Sequence, residues 1–319
     1  MNIEASMPVA TAFLLVAAGL IMLVGGGEIL VSGSTRLARR LGMTPLVIGL
    51  TVVAFGTSVP ELFVSLSASL QGHPDIMIGN IVGSNIANIG LILGISAMLR
   101  RLEMTVQEVW TELLLVVAGS VILMICSSLG FFPRLVGLFF VITLISYTYF
   151  TFHNQRNNSN SATEKDIQPD TTASMAIPVL LITGGLLLLS FGSDIFIRGA
   201  ADVARHFGIS ELVIGLTLAA VGTSLPELAS SMSALRRNES GLLIGNVIGS
   251  NMFNILMVMG LTGVIKPFAL SPDLLNRDLP VMIIFTLAVV AILGHTKGTN
   301  RWHGFLFFGS YCAYCFMLL

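Results

Sequence analysis

The sequence is short of charge. Only 10% of its 319 residues are Asp, Glu, Lys or Arg, against roughly 25% in an ordinary soluble domain. So few charges cannot clothe a water-exposed surface, which excludes a soluble globular protein. Low hydrophobicity is also missing: 54% of residues are apolar and the mean hydropathy is +0.89, which excludes intrinsic disorder. A basic excess is missing, since 16 Lys and Arg meet 17 Asp and Glu, so no positive field points to nucleic acid. Cysteine is scarce, and three residues make no disulfide framework. Cys312 and Cys315 stand in an apolar segment and read as helix-packing residues. The first residues, MNIEASMP, lack the Lys or Arg of a cleaved leader, so the first apolar segment is expected to stay as an anchor. What remains is a protein that crosses the membrane many times.

Ten apolar runs approach the roughly 20 residues a spanning helix needs. They lie near 8–32, 44–70, 76–98, 107–127, 131–152, 175–198, 210–235, 241–264, 278–294 and 302–319. The runs are continuous rather than alternating, which favours helices over a β-barrel. With the N-terminus outside, the cytoplasmic connections hold eleven Lys and Arg and the outer ones five. The positive-inside rule therefore places both termini outside. Residues 153–174 are polar and aperiodic and read as a cytoplasmic linker between residues 1–152 and 175–319.

Those halves repeat one another. Shifted by 166, residues 44–94 match 210–260 at 25 of 51 positions without a gap. GLTVVAFGTSVPEL (49–62) lies over GLTLAAVGTSLPEL (215–228), and GNIVGSNIANI (79–89) over GNVIGSNMFNI (245–255). Five spans per repeat is an odd number, so the second half enters from the opposite side. The expected fold is an all-α polytopic protein of ten transmembrane helices in two inverted five-helix repeats. Inverted repeats are common in secondary transporters.

Only two acidic residues fall deep inside strongly apolar spans, Glu61 and Glu227, at equivalent positions. Carboxylates at mid-bilayer are costly, starting near roughly 2.5 kcal/mol, and so point to function. Pro60 and Pro226 precede them. A proline lacks the N–H and clashes one turn back, so each helix is expected to break there and turn carbonyls around Ala54 to Thr57 toward a cavity. Ser58 and Glu61 are spaced as a capping box that restarts the helix, as are Ser224 and Glu227. The next span of each repeat carries Asn80, Ser84, Asn85 and Asn88, then Asn246, Ser250, Asn251 and Asn254. Ser84 and Asn88 share a helix face, and Asn80 is a candidate cap. All these groups are hard oxygen donors. They suit Ca²⁺ or Na⁺, and two Glu balance one Ca²⁺ or two Na⁺. No His or Cys enters the motif, which disfavours Zn or Cu, and no cation is there to hold an anionic substrate. A channel using the same carboxylates and a transport-dead scaffold are the rival readings. Sequence motifs of intramembrane enzymes are absent, so no enzyme and no cofactor is expected.

The duplicated pair GTSVPEL with GNIVGSNIAN, and GTSLPEL with GNVIGSNMFN, resembles the α-repeats of the cation/calcium antiporter superfamily, in particular its sodium/calcium exchanger branch. The resemblance covers roughly 26–98 and 192–264 and matches a compact prokaryotic-type member of the inner membrane. It implies exchange of cytoplasmic Ca²⁺ for external Na⁺ by alternating access, with no obligatory protein partner. By the same resemblance the ion-binding carboxylates fall on Glu61 and Glu227. Hydroxyl ligands fall on Thr57, Ser58, Thr223 and Ser224, and carbonyl ligands on Ala54 and Ala220. The remaining ligands fall on Ser84, Asn88, Ser250 and Asn254. Potassium-dependent members place Asp where Asn254 stands. The proton-coupled branch carries Glu where this chain has Gly83 and Gly249, which makes H⁺/Ca²⁺ exchange the alternative. Glycines 25–27, 184, 185 and 192 suggest that spans 8–32 and 175–198 flex and slide. Glu28 and Asp194 are candidate entrance carboxylates.

Overall fold

The computed structural model describes residues 8–158, 174–209, 222–270 and 274–318. They form helices α1 (Val9–Leu41), α2 (Pro45–Leu70), α3 (Pro74–Leu99), α4 (Val106–Ser128), α5 (Arg134–Asn158), α6 (Ala176–His206), α7 (Leu225–Arg236), α8 (Ser240–Ile265), α9 (Leu274–Thr296) and α10 (Arg301–Leu318). Among the described residues eight spans, all but α7 and α10, are long and apolar enough to cross a membrane. The first 12 residues of the seventh expected span (210–221), Ala220 included, and residues 159–173 of the expected linker lie outside the described residues.

Several helices outrun their apolar windows. α1 continues to Leu41 rather than 32, α6 to His206 rather than 198, and α5 to Asn158 rather than 152, six residues into the expected linker. The windows stop where polar and charged residues accumulate, but in α1 helical geometry keeps Arg36, Arg39 and Arg40 off the face on which Leu37 and Ala38 stay buried. The 33 residues of α1 are about 50 Å long. That exceeds the roughly 30 Å hydrocarbon core, so the helix must tilt or protrude. Local chemistry sets the ends. Gly42, at φ 64°, closes α1 after Arg39 and Arg40, where cations suit the helix dipole. Thr44 accepts the Val47 N–H ahead of Pro45 and starts α2.

α1 and α6 lie along each other, backbone to backbone. A Cβ at Gly26 would stand 3.0 Å from the Gly185 carbonyl, and one at Gly185 would stand 2.7 Å from the Leu30 nitrogen. Both helices run unbroken through their glycines; Gly26, Gly185 and Gly192 serve the close packing of the pair, while Gly25 and Gly184 have open space around them. α8 is the centre of the bundle, its most apolar stretch wholly buried.

Two short antiparallel ribbons tie the ends. β1 (Leu102–Glu103), between α3 and α4, pairs with β4 (Gly298–Thr299), between α9 and α10. β2 (Phe131–Phe132), between α4 and α5, pairs with β3 (Phe268–Ala269), between α8 and α9. Each ribbon thus joins a connection of one half to a non-equivalent connection of the other.

Candidate cation-binding site

Pro60 interrupts its helix as expected, but by a single residue, and two non-helical residues, Thr223 and Ser224, precede the helix that carries Pro226. α2 pauses at Ser58 (φ −82°, ψ 0°) and α7 is preceded by Ser224 in the same conformation (φ −86°, ψ 2°). The expected capping boxes do not form, since neither serine side chain caps its helix. The reason is that helical backbone bonds bridge the break. Ser58 N–H still donates to Ala54 O at 3.1 Å, and Leu62 N–H to Ser58 O at 3.2 Å. The Ala54 carbonyl therefore keeps its helical partner rather than being released. Both serine hydroxyls stay buried and without a hydrogen-bond partner.

A second local device was not legible. α2 passes through a π-helical turn at Gly49–Val53, α3 at Asn88–Leu93 and α8 at Asn254–Met259. Such turns widen the helix by one residue and recur at functional sites. Here two of them begin on the asparagines expected as ligands.

Glu61 and Glu227 are both 0% exposed, and close enough to feel each other's charge. Each carboxylate faces a threonine hydroxyl of the other half, Thr223 beside Glu61 and Thr57 beside Glu227, and Glu227 also faces Ser250 of its own half. None of these contacts has the geometry of a hydrogen bond, and all four carboxylate oxygens lack a partner. Around them Thr57 Oγ1 lies 3.4 Å from Ser250 Oγ, and Ser84 Oγ 3.4 Å from Thr223 Oγ1. Asn88 and Asn254 are buried, each with an unpartnered side-chain oxygen.

The scaffold beneath is built by Asn80 and Asn246. Thr57 Oγ1 donates to Asn246 Oδ1 and Thr223 Oγ1 to Asn80 Oδ1, both at 3.1 Å. The amide of Asn80 donates to Glu61 O and to Ser65 Oγ, and that of Asn246 to Glu227 O and to Ser230 and Ser231 Oγ. Asn80 sits within α3 and is not a cap. Each asparagine thus aims the threonine of one half and the glutamate backbone of the other. Ser65 and Ser231, one turn beyond each Glu and also related by 166, were a signal that the sequence carried unread.

The entrance carboxylates are not unpaired. Glu28 Oε2 meets Arg237 Nε at 2.8 Å, and Asp194 meets Arg198 on its own helix at 2.9 Å. Glu61 and Glu227 are also not alone as buried acids. Glu112 on α4 is 6% exposed and accepts the Tyr147 hydroxyl, while Asp202 on α6 is 5% exposed and pairs with Arg205. Both have partners, which separates them from the bare pair. A cavity of about 900 Å³, lined by Arg100, Arg101, Glu103, Glu108, Glu112 and Glu239 among others, contains no expected ligand.

A bundle of membrane-length helices, with two desolvated carboxylates ringed by hydroxyl and amide oxygens at its heart, defines an integral membrane cation transporter. The model of the sodium/calcium exchanger protein family matches this chain twice, over residues 11–153 and 177–319, once in each half. The chain is 37% identical over 322 residues to the putative antiporter CaxA of Alkalimonas amylolytica, covering 98% of this chain and 99% of that one. It is 30% identical over 342 residues to the sodium/calcium exchanger MaX1 of Methanosarcina acetivorans, with coverage of 96% and 98%. A solved structure of the sodium-calcium exchanger NCX_Mj, soaked with neither Na⁺ nor Ca²⁺, superposes with a TM-score of 0.84 at 33% identity and covers 98% of this chain and 100% of that one. The chain belongs to the sodium/calcium exchanger family, whose members are transmembrane antiporters rather than enzymes.

Proposed function

We propose that the protein exchanges Na⁺ for Ca²⁺ by alternating access at a midplane site built on Glu61 and Glu227. The observation that carries this reading is a set of eight buried oxygens without hydrogen-bond partners: both oxygens of each Glu, the hydroxyls of Ser58 and Ser224, and the side-chain oxygens of Asn88 and Asn254. Leaving one buried polar atom unsatisfied costs about 1–3 kcal/mol, and more when it is charged. Eight on one set of residues make sense when a cation completes them. Ca²⁺ takes six to eight such oxygens, and two carboxylates match either one Ca²⁺ or two Na⁺. Mutual exclusion of the two loads is what couples their fluxes.

The ribbons support the inverted arrangement. If α4 crosses the membrane, the connections before and after it lie on opposite faces. β1 then shares a face with the connection between α9 and α10, and β2 with that between α8 and α9. Equivalent connections of the two halves thus lie on opposite sides. The face carrying Arg100, Arg101, Lys297 and Arg301 reads as cytoplasmic, with both termini outside. Sodium is favoured over protons as the coupling ion by Gly249. A Cβ there would stand 2.7 Å from Ala54 Cβ and 2.8 Å from Leu50 O, which leaves no room for a Glu at that one of the two positions, whereas Gly83 has open space around it.

The test is uptake of radiolabelled Ca²⁺ into proteoliposomes of the purified protein. Uptake is expected with an outward Na⁺ gradient and not with an outward H⁺ gradient in the absence of Na⁺. Uptake driven only by H⁺ would overturn the choice of coupling ion. Uptake with neither gradient would favour a channel.

The two access routes differ in this conformation. α1 is sealed on α7, for a Cβ at Gly27 would stand 2.6 Å from Ser233 Oγ and 2.7 Å from Ala229 O, and the Glu28–Arg237 pair lies one residue further along α1. The equivalent face of α2 is bare: Phe63, which corresponds to Ala229, is 67% exposed, and the equivalent of Arg237 is Gln71. The pair thus acts as a cytoplasmic latch with no counterpart outside. An exposed ion pair contributes about 0.2–1 kcal/mol, so Arg237→Gln should shift the population up to about five-fold toward inward opening. A membrane-impermeant thiol reagent applied from the cytoplasmic side, to Ala229→Cys with the native cysteines changed to Ser, should react faster by that factor in the Arg237→Gln background. An unchanged rate would remove the latch.

A further inference from the structure

The hydrogen bonds that frame the site come in pairs, one from each half. The Thr57–Asn246 and Thr223–Asn80 bonds correspond, as do the bonds from Asn80 and Asn246 to the glutamate carbonyls. One pair is broken. Asn88 Nδ2 donates to Asn251 Oδ1 at 2.9 Å, and Asn251 Nδ2 donates to the Asn85 carbonyl at 3.3 Å. The shift of 166 that relates the halves turns these into a bond from Asn254 to Asn85 Oδ1 and a bond from Asn85 to the Asn251 carbonyl. Neither exists. Both side-chain amide atoms of Asn85 and both of Asn254 lack partners, and both residues are 0% exposed.

The satisfied side shows what the bond does. With its Nδ2 anchored on Asn251, the Asn88 amide is held in one orientation and its Oδ1 is left without a partner. Asn254 offers the same oxygen with no anchor. Buried amide atoms are rarely left unpaired, and those that are call for an explanation. Asn85 is not among the expected ligands, its backbone carbonyl is already tied to α8 through Asn251, and its side chain presents both an acceptor and a donor to that crossing.

We propose that Asn85 is a positioning residue for Asn254: on ion loading its Oδ1 accepts the Asn254 Nδ2–H and turns the Asn254 Oδ1 onto the cation, as Asn251 already does for Asn88. The inference rests on the cation site proposed above. One amide ligand is therefore set in advance and the other is set by the ion. Loading then draws α3 and α8 together, which gives the ion the differential contact that a conformational change requires.

The experiment is a double-mutant cycle on the Ca²⁺ concentration that half-saturates Na⁺-driven uptake, with the full chain in proteoliposomes. Asn85→Leu keeps the volume and removes the acceptor. It should raise half-saturating Ca²⁺ about five-fold, the equivalent of ~1 kcal/mol, and leave the maximal rate less affected. Asn254→Ala should do the same, and the double variant should be no worse than Asn254→Ala alone. With Asn88→Ala the effect of Asn85→Leu should multiply, as it does for independent sites. A merely structural role would not give that contrast. Unchanged half-saturation in Asn85→Leu, or an effect that multiplies with Asn254→Ala, would overturn the proposal. Should Asn85→Leu fail to fold, Asn85→Ser, too short to reach Asn254, carries the same cycle. Wild-type exchange that collapses in Glu61→Gln, together with an additive cycle, would sink the role of Asn85 alone. Absence of wild-type exchange would sink the site reading beneath it.

Discussion

Glu61→Gln is expected to bring Na⁺-driven Ca²⁺ uptake down to the background of empty vesicles while the protein stays folded. The substitution removes one of two charges that together balance the divalent ion, and it puts an amide N–H₂ where an oxygen faced the cation. Removing one partner from a buried charge pair costs about 3–5 kcal/mol, which is more than 100-fold in affinity. Folding responds in the opposite sense. Without ions the Glu61 carboxyl is wholly buried and has no hydrogen-bond partner, so its replacement by a neutral isostere relieves a desolvation penalty. The ion-free variant should melt at or above the wild-type temperature, and added Ca²⁺ should stabilise wild type but not the variant, because a ligand stabilises only the state that binds it. Glu227→Gln should behave alike, since both carboxylates are equally bare. Calcium-dependent stabilisation that survives in either variant would remove that residue from the site.

That pair was legible because the sequence states it twice. Two carboxylates in identical contexts, each behind a proline in an apolar run, can be read without any tertiary knowledge, and the structure buries both. What escaped the sequence depends on partners far away in the chain. A capping box was the local reading of Ser58 and Glu61, but continuous helical bonds across the break left that serine hydroxyl unused. Asn80 was read as a cap because a mid-helix amide has no local reason to exist; its partners are Glu61, Ser65 and Thr223. The π-turns that start at Asn88 and Asn254 have no composition of their own. Glu112 was passed over because it lies near the edge of its apolar run, and only Tyr147, 35 residues on, accounts for its burial. Periodicity reads an element and a repeat reads a symmetry, but which polar groups meet across elements is decided by packing.

The second large effect concerns that packing, at the crossing of α2 and α8. A Cβ at Gly245 would stand 2.5 Å from Leu46 O, 2.8 Å from Leu50 N and 3.0 Å from Gly49 C. The obstructing atoms are backbone, so no rotamer change can relieve the contact, and a Cβ at Gly49 would meet Leu242 O at 2.6 Å from the other side. Overpacking by a methylene typically costs about 1–3 kcal/mol where side chains can adjust, and more is expected where helices must part. Gly245→Val should not be recovered as a monodisperse protein. Gly245→Ala should fold with a lowered melting temperature and reduced uptake, because Asn246 and Ser250, which hold Thr57, move with α8. The contrast is Gly309→Ala on the exposed face of α10, where a Cβ meets nothing within 4 Å and helix propensity favours Ala by up to ~1 kcal/mol. Equal melting temperatures for Gly245→Ala and Gly309→Ala would mean that α2 and α8 can separate at no cost. The proposed site, whose candidate ligands are divided between those helices and their partners, would then lack the rigid crossing that holds its oxygens at one spacing.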